Sequence, residues 1–231
     1  MLKTALIFGS IGTVMETSDV QRRAYNQALK EAGLNWDWTR EIYAELLNQS
    51  GGQERLAMLA SATGTTLSQQ QIEAIHTRKT EIACDELQLH HTKLRPGVAE
   101  LIKWAKARHM KLAFVTTTYQ PNIDAIFKAA GDALSEKDFD YVGSRSSVVH
   151  GKPSPEAYLT ALKRLHTAPE QSVAIEDTAA SVMSAKRAGL KVIATPGEIS
   201  KGQDLWQADL VCDGLLDADN KLDSRVLALL A

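Results

Sequence analysis

The sequence predicts an α/β protein: a doubly wound parallel sheet with an inserted all-helical cap domain. Three observations point there. Ala5-Leu-Ile-Phe8 is an apolar run that flows into the Gly-containing turn Gly9-Ser-Ile-Gly-Thr13, the pattern of a central parallel strand covered on both faces. Between about residue 16 and residue 92 the pattern is helical throughout. After that, strand-like and helix-like segments alternate, which builds a parallel sheet with helices on its faces. The expected division is a core of residues 1–15 and 93–231 and a cap of residues 16–92, with hinges near Val14 to Thr17 and Thr92 to Pro96.

The elements follow in order. Thr4 to Phe8 reads as the first strand. Thr17 or Ser18 can cap a helix running to Ala32, with Gly33 as its stop. Asp37 or Thr39 starts a second helix carrying Ile42, Leu46 and Leu47. Ser50-Gly51-Gly52 reads as a loop, Gln53 to Ala62 as a third helix, and Ser68 opens a longer fourth through Ile72, Ile75 and Ile82. Pro96 is placed to open a helix through Leu101 and Trp104. Leu112 to Val115 reads as a strand ending in Thr116-Thr117-Thr118, followed by a helix from Pro121 to Gly131 and a short strand at Tyr141-Val142. In Gly151-Lys-Pro-Ser-Pro155, Ser154 is expected as N-cap and Pro155 as first helical residue. Ser172 to Ile175 is a strand ending in Glu176-Asp177. A helix to Gly189, strands at Val192 to Ala194 and Leu210 to Cys212, and a last helix capped by Asp223 complete the chain.

Composition narrows the function. A chain of 231 residues, 44% apolar, forms a sizeable core. Its formal net charge of −2 argues against nucleic-acid binding through bulk positive charge. No stretch is long and apolar enough for a membrane span, and the N-terminus does not read as a signal peptide. Cys84 and Cys212 match no metal or redox spacing, so a reducing cytoplasm is the expected location. Cys84 with His90 and His91 is too irregular for a metal site and reads as an exposed hinge.

Ligands of open α/β sheets bind beyond the carboxyl ends of the strands, and several such ends here carry polar residues. The Thr116 hydroxyl and the backbone N–H groups after it suit phosphate oxygens. Lys152, stiffened by prolines, suits a point-charge contact to phosphate. Glu176 and Asp177, adjacent carboxylates at a strand end, suit Mg²⁺. Taken singly, each has a bland reading: an exposed loop lysine for Lys152, helix N-capping for Asp177. In this order and on these elements the bland readings lose ground.

The same residues resemble the motifs of the haloacid dehalogenase superfamily over essentially the whole chain. Phe8-x-x-x-Gly12-Thr13-Val14 is similar to its first motif, Thr116 to the second, Lys152 to the third and Glu176-Asp177 to the fourth. The position and helical content of the cap look like the β-phosphoglucomutase subgroup. Trp36-x-Trp38 and Gly51-Gly52-Gln53-Glu54-Arg55 are most similar to its sugar-bisphosphate phosphatases, including those linked to Rubisco operons. The resemblance implies a Mg²⁺-dependent phosphatase site. It would place the nucleophilic aspartate at position 9 and the acid/base aspartate at position 11, which here are Gly9 and Ile11. It also implies phosphate contacts at Thr116, Thr117 and Lys152, metal ligands at Asp177, Glu176 and the Ile11 carbonyl, and a cap substrate loop of Gly52, Gln53 and Arg55.

Glycine offers no nucleophile and isoleucine moves no proton. Gln21, where relatives often carry His, and Arg145-Ser146-Ser147, in place of a usually acidic stretch, are further departures. So are Ser181, at a position usually Gly, and Gln53, where the cap loop often carries Lys. The expected protein is a pseudophosphatase that keeps a cradle for a small phosphorylated metabolite or meets a protein partner, with only weak Mg²⁺ binding. The alternatives are a Mg²⁺-dependent phosphatase or phosphomutase with an unusual nucleophile, such as water or Ser10, and an assembly role with Ile11 plugging the crevice. Side chains alternate along an extended backbone, so Ser10 is expected to point away from the site.

Overall fold

Strand β1 (Ala5–Phe8) lies at the middle of the sheet in the computed structural model, which describes residues 3–49, 51–89 and 92–231. The other strands are β2 (Lys111–Val115), β3 (Tyr141–Gly143), β4 (Ser172–Glu176), β5 (Lys191–Ala194) and β6 (Leu210–Val211). They form one sheet in the order β3-β2-β1-β4-β5-β6, every pair parallel. The chain first builds outward from β1 to β3 and then returns to the other side of β1. The order therefore reverses between β1 and β4, and a crevice opens where their carboxyl ends diverge. Gly9 and Asp177 each follow directly on one of these two strands.

Alternation along β1 divides the interior in two. Leu6 and Phe8 join a large cluster with helices α5 (Val98–Lys106), α6 (Gln120–Ala130) and α9 (Ser224–Leu230). Ala5 and Ile7 face the smaller cluster under α7 (Glu156–Leu165) and α8 (Ala179–Arg187). The first cluster continues into the helical region α1 (Ser18–Glu31), α2 (Arg40–Leu46), α3 (Gly52–Ala62) and α4 (Gln69–Leu89). There Trp38 lies against Tyr25, with ring centroids 4.4 Å apart, and stacks on Tyr43 at 5.9 Å. The two crossings into and out of this region run side by side. Met15 bridges Leu94, and the Arg95 N–H donates to the Val14 carbonyl at 2.9 Å.

Element types follow the sequence reading, and the differences lie at the ends. Thr17 is the N-cap of α1, but its hydroxyl is buried without a partner, and Glu16 instead accepts from the Ser18 N–H at 3.0 Å. Pro96 does not open α5. Gly97, at φ 88°, is the N-cap, because a left-handed residue is needed there to turn the chain into the helix. Pro155 is the N-cap of α7 rather than its first residue. Asp177 caps nothing; Thr178 is the N-cap of α8. Asp223 does cap α9, accepting from the Arg225 N–H at 2.8 Å. Ser50, His90 and His91 lie outside the described residues, so the loop and hinge readings that used them do too. Among the described residues no helix is long and apolar enough to cross a membrane.

The large cluster is anchored by aromatic contacts around Phe114, whose ring lies 5.2 Å from Phe127 and 5.6 Å from Phe139. Replacing a fully buried Phe removes its transfer free energy and leaves a cavity. Phe114→Ala is expected to lower stability by about 3–5 kcal/mol in urea unfolding.

Candidate functional site

The turn after β1 shapes the site floor. Gly12 sits at φ 76°, and a Cβ there would run into the Asp177 carboxylate, so both backbone angle and close approach call for glycine. At Gly9 a Cβ would stand 2.5 Å from Glu176 Oε2 and 2.8 Å from Thr13 Oγ1. The volume a side chain at position 9 would occupy is therefore taken by the Glu176 carboxylate together with the Thr13 hydroxyl.

Glu176 is held by Lys152 and Tyr158 on one oxygen and by Thr13, which donates to Oε2 at 3.5 Å, on the other. Lys152 Nζ lies 2.5 Å from its Oε1, and the Tyr158 hydroxyl donates to the same oxygen. All three side chains are buried. Lys152 also donates to Tyr158 Oη at 3.2 Å and to the Val115 carbonyl at 3.5 Å, which engages its three protons. Burial, with Glu176 and Asp177 nearby, pushes the Tyr158 hydroxyl well up, so it stays a donor. Among the described residues Asp177 forms no ion pair. Thr13 donates to it at 3.3 Å, and burial, followed by the charges of Glu176 and Glu16, pushes its carboxyl well above the usual range.

Ser10 does not point away, as strand alternation implied. It lies in the turn beyond β1, where that rule no longer holds, and it lines the cavity and donates to Thr116 Oγ1 at 2.8 Å. Thr116 Oγ1 also accepts from the Thr118 N–H at 3.1 Å.

A cavity of about 110 Å³ brings Ile11, Thr116, Thr117, Lys152, Glu176 and Asp177 together beneath the helical region. Gly9 is not among the residues that line it. Ile11 is half-buried and packs against the large cluster. Gly52 and Arg55 also reach the cavity. Gly52 is fitted so closely that a Cβ would meet the Tyr25 hydroxyl and the His76 ring. Arg55 spends its Nε on the carbonyls of Leu46 and Gln49, at 3.0 and 2.7 Å. Gln53 is not on the cavity wall and accepts from the Gln69 amide at 3.4 Å.

The reading of the sequence missed Lys79, His76, Tyr25 and Tyr158. Lys79 interrupts the apolar stripe Ile72, Ile75, Ile82 of α4, and a lysine in such a stripe is the signal that could have found it. It is buried over the Tyr25 ring, 4.8 Å from the centroid, and donates to Gln21, whose amide donates to Asn122 at 3.3 Å. Burial and the Arg55 charge push the Lys79 ammonium down to about 7. Burial, then the charges of Lys79 and Arg55, pushes His76 down to about 3, so the imidazole is neutral.

The donors fit a Mg²⁺ ion whose shell is completed by phosphate oxygens and water, since such sites need only one or two protein carboxylates. Asp177, a buried carboxylate, is the principal ligand on offer, with Glu176 before it at the end of β4 and Ile11 on the same cavity wall. Among the described residues no group of three His, Cys, Asp or Glu side chains could hold a metal by itself.

Residues 7–195 match the family model described as haloacid dehalogenase-like hydrolase. The chain is 38% identical to the protein CbbY of Rhodobacter capsulatus over 205 residues, 89% of this chain and 90% of that protein. A mutant CbbY from Rhodobacter sphaeroides, crystallised with xylulose-(1,5)bisphosphate, superposes with a TM-score of 0.87 at 35% identity, covering 96% of this chain and 100% of that one. CbbY from the same organism in complex with phosphate gives a TM-score of 0.85 at 36% identity, covering 93% and 95%.

The Lys79 environment yields a signed pH effect. The folded state binds fewer protons than the unfolded state between about 7 and the ordinary lysine value of 10.5, so wild-type stability rises with pH across that window. Lys79→Met should therefore raise the melting temperature most at about pH 6, with the gain shrinking towards about pH 10.

Proposed function

The chain belongs to the haloacid dehalogenase-like hydrolases, and within that family we propose that it binds a phosphorylated sugar without carrying out covalent phosphoryl transfer. One observation carries the proposal: position 9 is glycine, and its side-chain volume is filled by a glutamate locked to Lys152 and Tyr158. The family resemblance puts the nucleophile at position 9 and the acid/base group at position 11. Neither Gly9 nor Ile11 can serve, and Glu176 leaves no room for a rearranged side chain there. The kinship with CbbY, crystallised with a sugar bisphosphate and with phosphate, supports the choice of ligand class.

The residues divide the work of binding. Thr116 accepts from Ser10 and Thr118, which turns its own hydroxyl proton towards a ligand oxygen. Lys152 supplies the positive charge, and a phosphate must compete with Glu176 for it. The helical region forms the cap, whose Gly52 and Arg55 close the cavity over the sugar. Mg²⁺ at Asp177, Glu176 and the Ile11 carbonyl would screen the phosphate from the two carboxylates, and its affinity without phosphate is weak.

A second reading is Mg²⁺-dependent turnover of a small phosphorylated sugar through an unusual nucleophile. The kinship favours it, and Ser10 stands in the cavity. Against it, the hydroxyl of Ser10 is spent on Thr116, which is no base.

Calorimetric titration with sugar phosphates, with and without Mg²⁺, separates these readings when run beside a phosphate-release assay on the same panel. Saturable binding is expected, weakened by Lys152→Ala, with turnover on the order of 10⁶ below that of Rhodobacter CbbY. Mg²⁺-dependent turnover abolished by Asp177→Ala would establish the second reading. Absence of saturable binding at millimolar concentration would remove the first.

A further inference from the structure

We propose that Lys79 forms a reversible imine with the open-chain carbonyl of a phosphorylated aldose or ketose held in the cavity. This rests on the reading of the cavity as a phosphorylated-sugar site, and it adds a covalent grip that needs nothing from position 9.

A lysine is almost never buried without a counter-charge. Among the described residues two lysines reach the cavity wall, and they differ in this respect. Lys152 is tied to Glu176. Lys79, in the interior of α4, is 5% exposed and among the described residues forms no ion pair. Its Nζ donates to the Gln21 amide oxygen and stands 4.8 Å from the centroid of the Tyr25 ring. Gln21 is itself fixed by donating to Asn122 at 3.3 Å. The groups around the amine are therefore neutral or positive. Gln21 and Tyr25 come from α1, Asn122 from α6 and Arg55 from α3, while His76 and the Cys84 thiol share its own helix. Burial and the Arg55 charge both favour the free amine and bring the ammonium down to about 7. At pH 7 about half of the Lys79 amine then carries a free lone pair, against on the order of one in a thousand for an exposed lysine. Addition to a carbonyl requires that lone pair.

The placement suits a ligand held by its phosphate. His76, three residues before Lys79 on the same face of α4, sets its ring 5.2 Å from Tyr119, three residues beyond Thr116. The α4 face that carries Lys79 thus stands over the loop that begins with the phosphate contact. With phosphate at Thr116 and Lys152, the sugar carbons lie between that contact and Lys79 in one cavity. In the step itself Nζ bonds to the carbonyl carbon, and the carbonyl oxygen leaves as water with both amine protons. No oxidant or second reactant enters, and water reverses it. Once protonated, the imine nitrogen keeps one N–H for Gln21.

The test is reductive trapping, with glyceraldehyde 3-phosphate as probe and cyanoborohydride as the hydride donor to the imine carbon. Peptide mass mapping reads the wild type directly, so the result does not depend on any variant folding. One stable adduct is expected, on Lys79, formed about tenfold faster than with unphosphorylated glyceraldehyde. Its rate should be half-maximal near pH 7. Lys79→Met should lower the calorimetric preference for glyceraldehyde 3-phosphate over glycerol 3-phosphate, which lacks the carbonyl, by about tenfold. Labelling spread over exposed lysines with Lys79 unmodified, in a protein that binds the probe, overturns this proposal alone. So does labelling of Lys79 that still climbs steeply at about pH 9, as an exposed lysine would. Absence of probe binding by the wild type overturns it together with the phosphorylated-sugar reading.

Discussion

The ion pair between Lys152 and Glu176 governs the rest of the site. Taking both charges out of water is costly, and such a pair persists only when its geometry is good and its remaining hydrogen-bonding capacity is met. Tyr158 and the Val115 carbonyl meet it here. The pair fixes the Glu176 carboxylate against the turn after β1, and that carboxylate makes glycine the residue that fits at position 9. Thr13 donates to both Glu176 and Asp177, and among the described residues Asp177 forms no ion pair.

The kinship and the local chemistry pull in different directions. Relatives that align over nine tenths of their length include proteins crystallised with phosphate and with a sugar bisphosphate, and the sheet, its switch point and the helical region over it agree with theirs. Positions 9 and 11 carry Gly and Ile, which offer neither a nucleophile nor a group that moves a proton. A site can keep its binding surface after losing its reacting groups wherever the two are contributed by different residues.

Much of this was legible in the sequence. The apolar runs Ala5–Phe8 and Val173–Ile175 read as central parallel strands, which brings the polar residues just after them to one end of the sheet. What local pattern could not give was the turn after β1. The rule that side chains alternate fails once the strand ends, so Ser10 faces the cavity. Helix starts were misplaced by one or two residues where backbone geometry at Gly97 and Thr178 outweighed the preference of Pro96 and Asp177. Lys79, Tyr158 and the carboxylate at the Gly9 wall were hidden for a different reason. Each acquires its role from a partner 18 to 167 positions away in the chain, and no window of sequence holds both halves.

The central claim is that the Glu176 carboxylate occupies the side-chain space of position 9. A double-mutant cycle in urea unfolding tests it directly, combining Gly9→Ala with Glu176→Ala. The cost of leaving Lys152 unpaired appears in both Glu176→Ala backgrounds and cancels. Gly9→Ala should be destabilising in the wild type and less so when Glu176 is truncated, the Thr13 contact remaining in both, a coupling of about 1–3 kcal/mol. Effects that add to within about 0.5 kcal/mol would contradict the account.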